Sequence, residues 1–392
     1  MIPTPQPPPA LAGVHLDDEA GPFQQAVALV RLGKAAERSQ DLDEALARYH
    51  EALGLITGGG ATPMMANLLR WVGSVHRDRG EIPDAVRYYQ ESLWVAEKSG
   101  SQAAQAAALN CMAAMSQRQG DLDEAVSLYR RAGRLAAEAG EIRLSGMIDQ
   151  NLGVLANIRG DLDGALVRYR ASLKAFQQVR DDEAASWVLN NIGMLLTDLG
   201  QYARAEESFR KALEIAQRRG DEVMEGTLLT NRAEGLIRQG LLEAAQRSLD
   251  RALELCLEGG ETLRRAEVLR FLGVLEVERN RPAAAKGHLD EALALARRAR
   301  DRLLVAEVLR DRAKLSLARG RTGDALEELE EAREIFEGLG AVLDVEDVRA
   351  RLDGLGRVNG AAAGIPGGPA GSRPGEDGSE GPRPPNLDGR DR

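Results

Sequence analysis

Side-chain carboxamides recur at two adjacent positions of this 392-residue chain, and their spacing repeats every forty residues. They are Asn110, Gln150, Asn151, Asn190, Asn191 and Asn231. Asparagine is a mediocre helix former, so a helical face that accumulates it needs a reason. A carboxamide carries both a donor and an acceptor, which suits it to bind a peptide backbone without reading the side chains. The alternative is that these groups only cap helices or join neighbouring helices by hydrogen bonds.

Other arrangements that could support catalysis or cofactor binding are weak in this sequence. It contains no G-x-x-x-x-G-K-[ST] loop, and no strand–glycine–helix unit indicates a dinucleotide fold. The four histidines, at positions 15, 50, 76 and 288, lack metal-ligand spacing and a neighbouring cysteine pair. The many carboxylates suit helix starts and solvated helix faces. We therefore expect no enzyme activity, no cofactor and no metal.

The composition narrows the class of protein further. The net charge of −10 argues against a duplex nucleic-acid binder, which needs a concentrated basic face. Cys111 and Cys256 are far apart in the chain, so we expect two reduced thiols. The first residues lack the features of a signal peptide, and no run of 18 apolar residues indicates a membrane span. A cytoplasmic protein without membrane contact is the expectation.

The chain has an internal period of forty residues. Alanine occupies the same position eight times, at Ala45, Ala85, Ala125, Ala165, Ala205, Ala245, Ala285 and Ala325. Two further columns, one beginning at Gln40 and the other at Gly60, are mostly glycine, the residue that ends helices in the left-handed conformation. Asp-x-x-Glu after Gln40 and Gly120 predicts helix starts of the capping-box type. Each unit is therefore predicted to contain two helices of about 15–19 residues.

The columns of large and small residues resemble the tetratricopeptide repeat. In the fifth unit Leu189-Asn190-Asn191-Ile192-Gly193 is followed by Ala205, Phe209 and Ala212, as in that pattern. The unit of forty residues, in place of the common 34, is similar to the long-helix variant of kinesin light chains, LGN-type adaptors and Rap-type peptide sensors. HEAT and armadillo repeats, which also run near forty residues, are the alternative. The resemblance implies an all-α protein, a right-handed α-solenoid of eight helix-turn-helix repeats with a C-terminal capping helix.

The repeat pattern also sets the predicted domain organisation. Residues 1–20 are rich in proline and are predicted to form a disordered tail, and residues 21–340 hold the eight repeats. Residues 341–356 are predicted to form an amphipathic capping helix. Residues 357–392 are rich in glycine and proline and are predicted to be a second disordered tail.

The resemblance also implies where a ligand binds. In such proteins the first helix of each repeat lines the concave groove, with ligand-facing positions two, three and six residues before the small residue and one after it. In this sequence, those positions give the predicted peptide-binding residues Arg70, Asn110, Met147, Gln150, Asn151, Trp187, Asn190, Asn191, Met194, Thr230, Asn231 and Arg270. Asn151, Asn191 and Asn231 are the best candidates for main-chain contacts.

We therefore predict a non-enzymatic protein–protein interaction scaffold that binds an extended peptide or a partner helix in its groove. The alternative is a regulatory sensor subunit whose superhelix changes shape when a peptide or metabolite binds. The expected partner is a protein or peptide.

Overall fold

The computed structural model describes the backbone of residues 21–363 and the side chains of residues 21–355. The predicted N-terminal tail, residues 1–20, lies outside this part of the chain, as do residues 364–392 of the predicted C-terminal tail. The described part is helical, with no β-strand between residues 21 and 363. None of its helices is long and apolar enough to cross a membrane.

Residues 21–340 form eight helix pairs, numbered here as repeats one to eight. The first helices are α1 (Pro22–Arg38), α3 (Pro63–Asp78), α5 (Gln102–Arg118), α7 (Ile142–Ile158), α9 (Asp182–Asp198), α11 (Glu222–Arg238), α13 (Thr262–Glu278) and α15 (Arg302–Ala318). The second helices are α2 (Leu42–Ile56), α4 (Ile82–Lys98), α6 (Leu122–Glu138), α8 (Leu162–Gln178), α10 (Tyr202–Arg219), α12 (Leu242–Glu258), α14 (Pro282–Ala299) and α16 (Thr322–Leu339). A terminal helix, α17 (Val342–Ala363), follows the pairs. The α-solenoid predicted from the sequence is confirmed.

The turns between helices have the conformation that the two glycine columns predict. All sixteen turn positions have a positive φ. Twelve are glycine, which adopts this conformation at no steric cost. Gln40, Arg180, Asn280 and Arg300 keep it, with φ between 55° and 60°, although each carries a Cβ. The repeat geometry therefore imposes the left-handed turn even where the residue does not favour it.

The helix starts follow the predicted caps only in part. The side chains of six aspartates accept a hydrogen bond from the backbone N–H three residues later: Asp41, Asp121, Asp161, Asp181, Asp221 and Asp301. The return bond of a capping box, from glutamate to the cap, is replaced by other contacts. Glu44 accepts from Arg48 at 2.8 Å, and Glu124 accepts from the Ser116 hydroxyl at 2.9 Å. A charged or hydroxyl donor within reach competes successfully with the backbone N–H.

Close approach of the two helices holds each pair together. The alanine column is buried, and the five glycines of the small column in the first helices each lie against the large residue of the second helix. A Cβ at Gly33 would lie 2.5 Å from the Tyr49 ring, and one at Gly193 would lie 2.7 Å from Phe209. Neither distance is compatible with a real side chain, so these positions require glycine for the observed packing.

Successive repeats are joined most extensively where the second helix of one packs on the first helix of the next, and their first helices also contact one another. Helices α3, α5 and α7 contact one another in series, as do α9, α11, α13 and α15. Among the described residues no two second helices contact each other to that extent. The first helices therefore form the more tightly curved, inner wall of the solenoid, and the second helices form its outer side.

Helix α17 closes the array. It packs on α16 and contributes Val345 and Val348 to the last apolar cluster. The helix continues to Ala363, beyond the predicted boundary at residue 356. Its first turn also reaches repeat four, where a Cβ at Gly160 would lie 3.4 Å from Leu343 Cδ2. The C-terminal end of the described chain therefore returns to the middle of the solenoid.

Candidate functional site

The four positions predicted to face a ligand lie on one face of each first helix, because their spacings of three, one and three residues match the helical period. In α3, α5 and α7 they line a cavity of about 540 Å³. In α11, α13 and α15 they line a second cavity of about 740 Å³. We call these the N-terminal cavity and the C-terminal cavity. The inner wall therefore carries two cavities in place of one continuous site.

The structure distributes the predicted residues over this wall. Arg70, Asn110 and Met147 line the N-terminal cavity, and Arg270 lines the C-terminal cavity. The other eight belong to α7, α9 and α11 and lie between the cavities or beside them: Gln150, Asn151, Trp187, Asn190, Asn191, Met194, Thr230 and Asn231. The N-terminal cavity also contains Cys111, which is a free thiol like the buried Cys256.

Four of the six carboxamides join adjacent repeats. Asn151 Nδ2 donates to Asn110 Oδ1 at 3.3 Å, and Asn231 Nδ2 donates to Asn190 Oδ1 at 2.9 Å. In both pairs the residues are 41 positions apart, so the bond links the first helices of neighbouring repeats. We call such a pair a rung. These four residues therefore join neighbouring first helices by hydrogen bonds, which is the alternative stated in the sequence analysis.

Gln150 and Asn191 occupy the same register, 41 positions apart, at the junction of repeats four and five. Both are half-buried, and neither side chain forms a hydrogen bond with another residue in the range 21–355. Helix α7 also makes less contact with α9 than α9 makes with α11. This junction therefore presents two carboxamides whose hydrogen-bonding groups are available to a ligand, between two rungs that are closed.

Apolar side chains accompany these two carboxamides. Trp187 is 38% exposed and Met194 is 41% exposed, although both belong to the inner columns of α9. Met194 Sδ lies 3.4 Å from Asn231 Nδ2, which places the thioether beside the closed rung. An exposed aromatic ring and a flexible thioether are suited to cover the side chains of a bound segment.

Thr230 was predicted to face the ligand, and the structure assigns its hydroxyl a different role. The residue is buried, and its hydroxyl donates to the Gly226 carbonyl at 2.8 Å within α11. Threonine commonly bonds to the carbonyl four residues earlier when it lies inside a helix. Its donor is therefore already used.

The C-terminal cavity is charged. Arg270 Nη1 lies 3.1 Å from Asp311 Oδ2 in the register of the carboxamide rungs, and Nη2 lies 3.5 Å from Glu307 Oε2. Burial disfavours the charged form of Arg270, but Glu307 and Asp311 outweigh it, so the pKa of Arg270 is raised. Helix α17 adds Asp344, which pairs with Arg310 at 2.6 Å.

Two glutamates of this region have perturbed acidities. Burial and repulsion by Glu307 raise the pKa of Glu267, and burial chiefly raises the pKa of Glu307 as well. The sequence prediction omitted both, although each stands six positions before the small residue, where the other six repeats have an uncharged residue. That difference was the signal that could have found them.

One group on the second repeat brings together potential metal ligands. His76, Glu81 and Asp84 have ligand atoms within 4.8 Å of one another. His76 Nδ1 is hydrogen-bonded to Glu81 at 2.6 Å, while Arg79 and Arg87 form ion pairs with the two carboxylates. These contacts explain why the three side chains lie close together: they form a network of ion pairs and hydrogen bonds.

Several solved structures share this fold. Aspartyl phosphate phosphatase F from Bacillus subtilis is 11% identical with a TM-score of 0.60, and the match covers 81% of this chain and 85% of that one. A Rap protein complexed with competence and sporulation factor is 13% identical with a TM-score of 0.57, covering 86% and 99%. The apo quorum sensor NprR from B. thuringiensis is 13% identical with a TM-score of 0.54, covering 85% and 99%. At these identities the likeness establishes the fold alone.

The sequence comparisons identify the family. A comparison with curated proteins finds no match. Tetratricopeptide-repeat models match residues 24–98, 144–218 and 225–298, and a related one matches residues 105–137. These matches cover more than half of the chain and exclude the HEAT and armadillo alternatives. The chain belongs to the tetratricopeptide-repeat family.

Proposed function

We propose that this protein is a non-enzymatic scaffold that binds an extended peptide or a partner helix along its inner wall, centred on Gln150 and Asn191. The observation that carries this proposal is that Gln150 and Asn191 have the register of a rung but are not hydrogen-bonded to each other, and we call this pair the open rung. Each carboxamide there offers a donor and an acceptor to a peptide backbone. Trp187 and Met194 provide apolar contacts on the same wall.

The neighbouring closed rungs explain why this junction is favoured over the rest of the wall. Asn151 and Asn231, two of the three asparagines expected to contact a main chain, already donate to Asn110 and Asn190. A ligand that competes for a donated hydrogen would have to replace an existing bond, so it would gain less there than at an unbonded carboxamide. At Gln150 and Asn191 a ligand gains bonds without such a loss.

The test is affinity capture of partners from a cell lysate with the full chain and its variants. We expect Gln150→Ala/Asn191→Ala to lose a partner that the wild type captures, while its melting temperature stays unchanged. A matched control, Gln90→Ala/Gln178→Ala, removes two exposed carboxamides from second helices and should capture the partner normally. Equal capture by all three proteins would contradict the proposal.

A regulatory sensor is the second candidate, and the return of α17 to repeat four favours it. The C-terminal cavity is lined both by Leu343 of α17 and by Asn157 and Leu162 of repeat four, so a ligand that enters there can change the distance between these two parts of the chain. Two structures with the same fold are of a quorum sensor and of a Rap protein bound to competence and sporulation factor, which supports a signalling ligand.

Small-angle scattering distinguishes the two candidates. For a sensor, the partner captured above should change the radius of gyration of the chain, and Leu343→Ser should produce part of that change without ligand. For a scaffold, the protein component should keep its radius of gyration in both cases. The identical measurement on Leu339→Ser, which changes an exposed leucine at the end of α16, is the control.

A further inference from the structure

Adjacent repeats share an apolar contact on the side opposite the inner wall. At six of the seven junctions, a leucine of the second helix and a leucine of the next first helix, sixteen residues later, belong to the same apolar cluster. These pairs are Leu53 with Leu69, Leu93 with Leu109, Leu173 with Leu189, Leu213 with Leu229, Leu253 with Leu269, and Leu293 with Leu309. Six of the seven junctions between repeats therefore use the same two side chains.

The junction of repeats three and four is the exception, because both leucines are replaced there. Gly133 stands in the position of the first leucine and Asp149 in that of the second. A substitution of one partner would leave a small gap, whereas the substitution of both removes the whole contact. The result is a cleft of about 410 Å³ between α6, α7 and α8.

We call this the outer cleft, and its lining combines apolar and charged groups. Its lining residues include Tyr129, Ile148 and Leu152, and the Asp149 carboxylate, 2.9 Å from Arg168 Nη1, lies at its edge. On α7 the lining residues lie about half a turn away from Met147 and Asn151, which face the inner wall. The outer cleft is therefore separate from the site of the proposed function.

The surface around the outer cleft is basic, although the chain as a whole has a net charge of −10. Arg130 and Arg134 line the cleft, and both are exposed. Neither forms an ion pair with another residue in the range for which side chains are described. Their charge is therefore available to an acidic partner.

Each of the six second helices other than α6 and α8 pairs at least one basic side chain with a nearby carboxylate of the same helix. Each of the following cations is paired with a carboxylate three or four residues away: Arg48 with Glu44, Arg87 with Glu91, Arg210 with Glu214, Arg251 with Glu254, Lys286 with Asp290, and Arg333 with Glu337. The loss of the leucine contact and the loss of local charge pairing therefore coincide on the same part of the outer side.

We propose that the outer cleft is a second binding site, which takes an acidic segment of a partner protein and buries one aliphatic side chain of that segment. The aliphatic group fills the volume that two leucines occupy at the other junctions. Carboxylates on either side of it pair with Arg130 and Arg134. Charged groups at the rim set orientation and association rate, and the buried side chain supplies affinity.

The test uses a fluorescein-labelled heptapeptide with a central leucine flanked by three aspartates on each side, and measures its anisotropy with the full chain. We expect saturable binding, and about tenfold weaker binding when the central leucine is replaced by glycine, because one leucine contact is lost. A peptide with lysines in place of the aspartates should not bind.

The decisive variant is Gly133→Leu, which restores the residue found at the other leucine junctions. A Cβ at Gly133 would lie 3.5 Å from Ile148 Cγ2, an ordinary contact, so the variant should fold with at least the wild-type melting temperature. We expect it to weaken peptide binding about tenfold or more, because the leucine fills the cleft. Arg130→Ala/Arg134→Ala should weaken binding and reduce its salt dependence.

Two control variants show whether the heptapeptide binds at the outer cleft or elsewhere on the solenoid. Arg210→Ala removes a paired arginine of α10 and should leave the affinity unchanged. Gln150→Ala/Asn191→Ala should also bind the heptapeptide normally, so a failure of the inner-wall proposal would not affect this one. Absence of saturable binding, or full affinity of Gly133→Leu, would overturn the proposal.

Discussion

Equivalent positions on the inner wall hold neutral pairs in one region and a charged pair in another. In repeats three to six the rungs are neutral, with Asn151 bonded to Asn110 and Asn231 to Asn190. Between repeats seven and eight the equivalent rung is Arg270 with Asp311, in a region that also buries glutamates. Both kinds of rung join residues 41 positions apart, so the backbone geometry is the same and only the side chains differ.

This difference shows that polarity along the groove is set independently of the fold. An amide rung costs little to bury, because its groups are neutral and its net contribution is about 1 kcal/mol. A charged rung must overcome the desolvation of both ions, and it depends on neighbours such as Glu307 and Arg310. The middle of the wall is therefore suited to a peptide backbone, and the C-terminal cavity to a charged ligand.

The largest expected effect is on the charged rung. Arg270→Ala should lower the free energy of unfolding of the C-terminal repeats by about 3–5 kcal/mol, because it leaves Asp311 and Glu307 without their buried cation. Denaturant unfolding followed by circular dichroism measures this. Arg270→Asn/Asp311→Asn, which rebuilds a neutral rung, should recover most of the loss. Equal instability of both variants would show that charge is not what distinguishes the two kinds of rung.

A change of pH is expected to have a smaller effect on the free energy of unfolding. The raised pKa values of Glu267 and Glu307 mean that the folded chain binds more protons than the unfolded chain, from the ordinary glutamate range up to the raised values. Stability from these groups should therefore be present at acidic pH and be lost as the pH rises through that interval. Glu267→Gln/Glu307→Gln should show a flatter profile of unfolding midpoint against pH than the wild type. Parallel profiles would contradict this assignment.

The neutral rungs should respond more weakly still. Asn190→Ala removes the acceptor of a buried rung and should lower the free energy of unfolding by about 1 kcal/mol. Thermal melting of this variant beside Asn231→Ala tests the pairing, since the double variant should lose less than the sum of the single losses. Strictly additive losses would indicate that the two side chains do not interact.

The open rung should show the smallest change. Asn191→Ala has the same chemistry as Asn190→Ala but removes no hydrogen bond within the described part of the chain. We expect its free energy of unfolding to stay within about 0.5 kcal/mol of the wild type. A loss equal to that of Asn190→Ala would remove the distinction between open and closed rungs, and with it the argument for ligand binding at this junction.

The repeat architecture could be predicted from the residues alone. Each period of forty residues carries its own helix stops, caps and small–large pairs, and these act between residues near one another in the chain. The turn at Gln40 and the packing of Gly33 under Tyr49 are examples. Local rules repeated eight times leave little freedom, so the number of helix pairs, the helix lengths and the positions of the turns could be predicted as well.

The use of the polar residues, in contrast, depends on how the repeats pack in three dimensions. Within the described residues Asn151 is hydrogen-bonded and Asn191 is not, and this difference depends on how closely adjacent first helices approach, a distance that no local sequence pattern predicts. The approach of Leu343 to Gly160 results from small rotations summed over four repeats, so it too cannot be predicted from the sequence. Short-range packing is specified within each repeat, whereas the availability of a side chain to a ligand depends on the summed geometry of many repeats.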